Sequence, residues 1–162
     1  MGYTVKDLLE SNNFSEMQLI SDDSGIGREI KGVRIIEVPD MEKFLGGGEL
    51  LLTSMRAYEA TEEDVFLHHL KELDKKQISG FIVKCCQRTE HLKRLFDILM
   101  EFSQEHHLPV IEISEDLYFW GIIKHILLQL CDIETAKLKY FKMTHDNLSN
   151  ILLNVIDSRE SI

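Results

Sequence analysis

The chain has 162 residues, 44% of them hydrophobic, and a formal net charge of -10 from 18 Lys and Arg against 28 Asp and Glu. That size and balance suit one folded domain with a short addition and exclude a disordered acidic chain. The charge argues against direct binding to nucleic acid or to an anionic membrane surface, where affinity comes from neutralising phosphates.

The acidity is uneven. Residues 1–117 carry 13 basic and 23 acidic side chains, whereas residues 118–162 carry five of each. Two regions are expected on that basis: an acidic α/β body over 1–117 and a neutral helical region over 118–162. No apolar run reaches the roughly 18–20 residues needed to cross a bilayer. The first ten residues include Asp7 and Glu10 and have no apolar signal core. Cys85, Cys86 and Cys131 are too few and too badly spaced for a disulfide framework. They read as reduced, mostly buried thiols of a cytoplasmic protein.

In chain order, Thr4 caps a short helix over Val5–Ser11, with Asp7 in its first turn. A short strand over Met17–Ile20 and a run of turns follow. Four apolar runs then recur: Val33–Val38, Glu49–Ser54, Phe81–Cys86 and Val110–Ile113. Each is short and nearly continuous, as strands buried on both faces are. Helical patterns separate the later three. One starts at Thr61 and presents Val65, Phe66, Leu70 and Leu73; the other starts at Thr89 and presents Leu92, Leu95, Phe96, Leu99 and Phe102. Alternating strands and helices predict an α/β fold with a mostly parallel sheet of four to five strands and flanking helices.

After Ser114 the pattern is helical throughout. Phe119, Ile122, Ile123, Ile126, Leu127 and Leu130 make a wide apolar stripe. Leu138, Phe141, His145, Leu148, Leu152 and Val155 then alternate in steps of three and four, a heptad-like seam suited to dimerisation. A continuous helix of about 40 residues would be ~60 Å long. It would stand out as a stalk, or break and fold back as a helical hairpin.

The chemistry is sparse. Gly46, Gly47, Gly48 and Glu49 precede a strand, without the lysine or the strand-to-helix setting of a phosphate-binding loop. They form either a tight turn or a loop lining a small-molecule pocket. Ligand crevices of parallel sheets open at the carboxyl ends of strands. The polar residues expected at such ends are Glu37 and Asp40, Thr53 and Ser54, Lys84 and Gln87, and Glu112 and Ser114. A glutamate, a lysine and hydroxyls there could hold a polar heterocycle or a carboxylate. Lys84 interrupts an apolar run, so either its stem packs while its head reaches water or it meets a ligand. The seven histidines have no chelating spacing and read as surface or helix-end residues. No catalytic constellation and no metal or cofactor motif emerges, which favours a binding module over an enzyme; catalysis through Lys84 or a cysteine is the weaker alternative, and a purely structural assembly domain is another.

Four stretches resemble the N-terminal sensor domain of the purine catabolism regulator (PucR) family of bacterial transcription regulators. They are Thr4–Leu9 (TVKDLL), Val33–Thr53 ending in GGELLLT, Ser79–Val83, and Leu108–Ile113 with the helix that follows. The likeness runs from Thr4 to about Leu130, and GGELLLT is its most specific part. Met55 stands where members often have glycine, and Lys84-Cys85-Cys86 where many have small residues. The resemblance implies a cytoplasmic sensor that binds a small effector, dimerises, and touches DNA only through a helix-turn-helix not contained in this chain. On that reading the chain is expected to be either a fragment of a longer regulator, the favoured alternative, or a product lacking the DNA-binding half.

Overall fold

The computed structural model describes residues 2–11, 16–39, 41–84 and 89–160. Five strands, β1 (Gln18–Leu19), β2 (Gly32–Ile35), β3 (Glu49–Thr53), β4 (Gly80–Lys84) and β5 (Val110–Ile113), form one sheet in the order β1-β5-β4-β3-β2. Strands β2 to β5 are parallel, and β1 runs antiparallel along the β5 edge. The expected α/β fold with a mostly parallel sheet is therefore present.

Strand β3, next to the β2 edge, is buried at every residue, with Leu50, Leu51 and Leu52 fully enclosed. Alternation along each strand sends its side chains to two separate cores. Leu51, Phe81, Val83 and Val110 pack with Phe66, Leu70 and Leu73 of α2 (Glu63–Lys75) and Leu92, Leu95 and Leu99 of α3 (Glu90–His106). Leu50, Leu52, Ile82, Ile111 and Ile113 pack on the other face, against Val5 and Leu8 of α1 (Val5–Glu10) and Ile122 and Ile126 of α4 (Phe119–Glu160). The sheet is a middle layer covered on both sides, which is why its strands read as unbroken apolar runs.

Local signals set several boundaries. At α1 the Asp7 amide donates to the Thr4 hydroxyl at 3.2 Å and the Thr4 amide donates to the Asp7 carboxylate at 2.9 Å, a reciprocal cap. Thr89 caps α3 through the Leu92 amide at 3.2 Å. Helix α2 departs from expectation and begins after Glu62. The Thr61 amide donates to the Tyr58 carbonyl, closing a turn that follows the short 3-10 helix Arg56–Tyr58, so Thr61 is used before the helix starts. Strand β2 ends at Ile35, and only the Ile36 amide continues the pairing, to the Leu52 carbonyl. Val38 lies beyond the ladder, about half exposed.

Helix α4 is one continuous element of 42 residues, so no hairpin forms within it. Phe119, Ile122, Ile123, Ile126, Leu130 and Ile133 face the sheet core. Packing on the body thus continues past residue 117 to Ile133. From Glu134 the helix projects away, and its large apolar side chains between Leu138 and Leu153 are 57–75% exposed. Cys131, expected among buried thiols, is exposed on this helix because its position points away from the sheet. Cys85 and Cys86 lie outside the described residues. No helix among the described residues is long and apolar enough to cross a membrane.

Tyr3 tests the second core. Its hydroxyl is buried without a hydrogen-bond partner among the described residues. Burial, and after it the Asp7 carboxylate, push the phenol up to about 12. A raised pKa stabilises the fold fully below the unfolded value of about 10, and that contribution disappears as pH rises towards 12. Urea denaturation should therefore show stability falling between pH 10 and the onset of tyrosinate formation in the folded state. Tyr3→Phe should flatten that fall and raise stability at pH 7 by about 1 kcal/mol, the cost of an unmet buried hydroxyl. An unchanged alkaline limb in Tyr3→Phe contradicts the assignment.

Candidate functional site

The two ends of the sheet differ in what their polar groups do. At the amino end, Gly47 and Gly48 adopt φ of 109° and 78°, values that side chains disfavour. A Cβ on Gly48 would sit 2.8 Å from the Lys31 side chain. The nearly buried Glu49 carboxylate accepts from the Gly46 amide at 2.7 Å and the Gly47 amide at 2.9 Å. The Gly48 amide donates to the Gln77 carbonyl at 2.9 Å, and the Ser79 hydroxyl donates to the Gly48 carbonyl at 3.0 Å. The loop borders a hollow of about 410 Å³ with Arg28, Glu29 and Asp74. Arg28 there donates to the carbonyls of Ile78 and His106 at 2.9 and 2.8 Å. Glu49 thus closes a tight turn, and Arg28 ties the same end together.

The carboxyl end carries the crevice. Register pairs Thr53 with Val83, so Ser54 and Lys84 emerge side by side. Ser54, Arg56, Lys84, Glu115 and Phe119 line an open concavity of about 420 Å³. The Lys84 ammonium lies 5.3 Å from the Phe119 ring centre and 5.6 Å from that of Tyr118, within cation–π range. Neither Arg56 nor Lys84 forms an ion pair among the described residues. Phe119 is the first residue of α4, so one wall of the crevice is the root of the long helix.

The polar residues expected to converge do so only in part. Ser54 and Lys84 meet. Thr53 is buried, and its hydroxyl accepts from the Met55 amide at 2.9 Å, holding Met55 in a left-handed conformation. Gly47, Gly48 and Glu49 stand at the opposite end of β3. Glu112 pairs with Val83 and alternates with Ile111 and Ile113, so it faces the α2–α3 side while Lys84 faces α4. Glu37 is exposed beyond the edge strand β2, and Asp40 lies outside the described residues. Arg56, Glu115 and Tyr118 carry no sequence pattern and come to the crevice only through strand order and the turn into α4.

A histidine expected at the surface is internal. His69 is 5% exposed, and its Nε2 lies 2.9 Å from the Tyr58 hydroxyl. Its step of three from Phe66 and four to Leu73 puts it on the inner face of α2. A larger groove, about 500 Å³ between the β1 region and α3, is lined by Asp22, Asp97 and Glu101 with no cation. The Asp22 carboxyl is held below the usual range by the Ser24 hydroxyl and then the Ser24 amide, a turn contact.

The second feature is the outward face of α4. Leu138, Phe141, Leu148 and Leu152 are exposed, as is His145. Val155 continues the seam along the helix backbone, its side chain outside the description. Steps of seven back from Phe141 reach Glu134, Leu127 and Trp120, and Trp120 is 69% exposed on the compact body. The stripe therefore begins one residue from Phe119.

The sequence profile of the purine catabolism regulatory protein-like family matches residues 7–130. The purine catabolism regulatory protein of Bacillus subtilis (strain 168) is 23% identical over 151 residues, an alignment covering 93% of this chain and 28% of that relative. The chain thus spans under a third of the relative's length.

Removing the Glu49 carboxylate should leave two amides of the glycine turn without their acceptor. Glu49→Ala is expected to cost about 2 kcal/mol in urea denaturation. A loss below about 0.5 kcal/mol, the range of an ordinary surface change, contradicts the turn-closing role.

Proposed function

Because the chain belongs to the purine catabolism regulatory protein-like family, we propose that it is the ligand-responsive, self-associating part of a transcription regulator. The effector is a small metabolite bound at the carboxyl-end crevice, through Ser54 and Lys84 of the expected group together with Arg56 and Phe119. Two copies associate through the exposed stripe of α4. Any contact with DNA belongs to a part of the regulator outside this chain.

One observation carries the reading. A single unbroken helix supplies a wall of the crevice at Phe119 and an uncovered apolar stripe beyond it. Ligand in the crevice presses on the root of α4, and a stiff helix transmits a small change in its packing to the far end. The mechanism is a population shift between two packings of that root, driven by the ligand's difference in affinity for them. The residues 118–162 carry no net charge, so two such helices meet without the repulsion that the acidic body would impose.

Sedimentation of the full chain tests the assembly. A dimer is expected at micromolar concentration. Leu148→Asp with Leu152→Asp should give a monomer of unchanged thermal stability, since both side chains lie far from the body. A monomeric wild type, or a dimer indifferent to both substitutions, overturns it.

A further inference from the structure

We propose that the crevice effector carries an anionic group, a carboxylate on a flat or apolar skeleton, clamped between Arg56 and Lys84. The inference rests on the ligand-binding reading above and narrows it to a chemical class.

Charge is the first argument. In a chain of net charge -10, the crevice brings together, among the described residues, two cations and the carboxylate of Glu115. Glu115 is exposed and makes no ion pair with either cation among the described residues. Several other cations of the body are paired, whereas Lys31, Arg34, Lys43, Lys71 and Lys76 form no ion pair among the described residues. Lys6 pairs with Glu10, Arg94 with Glu63, Lys75 with Glu72 and Arg28 with Asp74. Two unpaired cations lining one concavity focus positive potential there.

Geometry is the second argument. Lys84 ends a strand whose other four residues are buried, and it is itself half-buried. Its stem is fixed by the packing of β4, and its ammonium stands over two aromatic rings. A fixed ammonium flanked by rings offers a point charge for a carboxylate and an apolar wall for the skeleton attached to it. Arg56 adds a planar fork able to hold a carboxylate through two parallel hydrogen bonds. Ser54 lines the same concavity. A volume of about 420 Å³ is in the range of small-molecule sites.

Titration calorimetry of the full chain separates the possibilities with three probes: benzoate, its neutral counterpart benzamide, and inorganic phosphate. Benzoate is expected to bind roughly tenfold or more tightly than benzamide. Phosphate, an anion without an apolar skeleton, is expected to bind more weakly than benzoate. Arg56→Gln and Lys84→Met should each weaken benzoate by about tenfold while leaving benzamide within about twofold. Met keeps the packed stem of Lys84, and unchanged melting of both variants confirms folding. Equal binding of benzoate and benzamide, or benzoate binding that ignores both substitutions, overturns the anionic class. If benzamide binds equally well and Phe119→Ala abolishes it, the crevice still takes ligands and only the class is wrong. If phosphate matches benzoate, the site holds a bare anion, and the proposed skeleton is wrong. If no probe binds, the class proposal fails, whereas the assembly reading is judged separately by sedimentation.

Discussion

Ile122 and Ile126, both fully buried against the sheet, set the rotation of α4, and because the helix is unbroken this setting aims the residues that follow. At about 100° per residue, fixing those two positions turns Phe119 towards the crevice and Trp120 towards solvent. The same phase carries Leu127, Leu138 and Phe141 onto the outward stripe. Crevice and stripe are thus two faces of one helix, and neither can shift its angle without the other.

The two ends of the sheet use their polar groups differently. At the amino ends of its strands, the Glu49 carboxylate, the glycine amides and the Arg28 guanidinium are committed to one another and to backbone carbonyls. That end needs glycines because two left-handed residues stand in succession before β3. At the carboxyl ends β3 stops at Thr53, just before Ser54, and β4 stops at Lys84, and Ser54 and Lys84 both line the crevice. Parallel sheets commonly place ligands there, since all their strands end on the same side. Here α4 starts on that side too, so the first residue of the long helix borders the crevice.

Much of the fold was legible in the sequence, for local reasons. Thr4 with Asp7, and Thr89 with Leu92, are caps whose partners lie three residues away, so the chain itself contains the whole interaction. Burial on both faces shows as continuous apolar runs, and β3, β4 and β5 lie where those runs fall. Thr61 misled because its amide serves the preceding turn, a competition that periodicity does not display. His69 was readable in principle from its spacing with Phe66 and Leu73, but its neighbour His68 made the pair look superficial. The candidate site was half legible. Lys84 stood out as a charge in an apolar run. Arg56 did not, because only the pairing of β3 with β4 brings it near Lys84. The conspicuous glycines drew attention to the opposite end, since a turn that demands glycine and a loop that admits a ligand look alike in one dimension.

The coupling of crevice to stripe through the root of α4 is the central claim, and linkage makes it measurable. Sedimentation equilibrium of the full chain, with and without a saturating ligand shown to bind at Lys84, gives the dimer dissociation constant in both states. Coupling requires the two constants to differ, typically by about fivefold or more, and the dimer to differ from the monomer in ligand affinity by the reciprocal factor per linked site. Identical dissociation constants with the crevice occupied and empty would contradict the account.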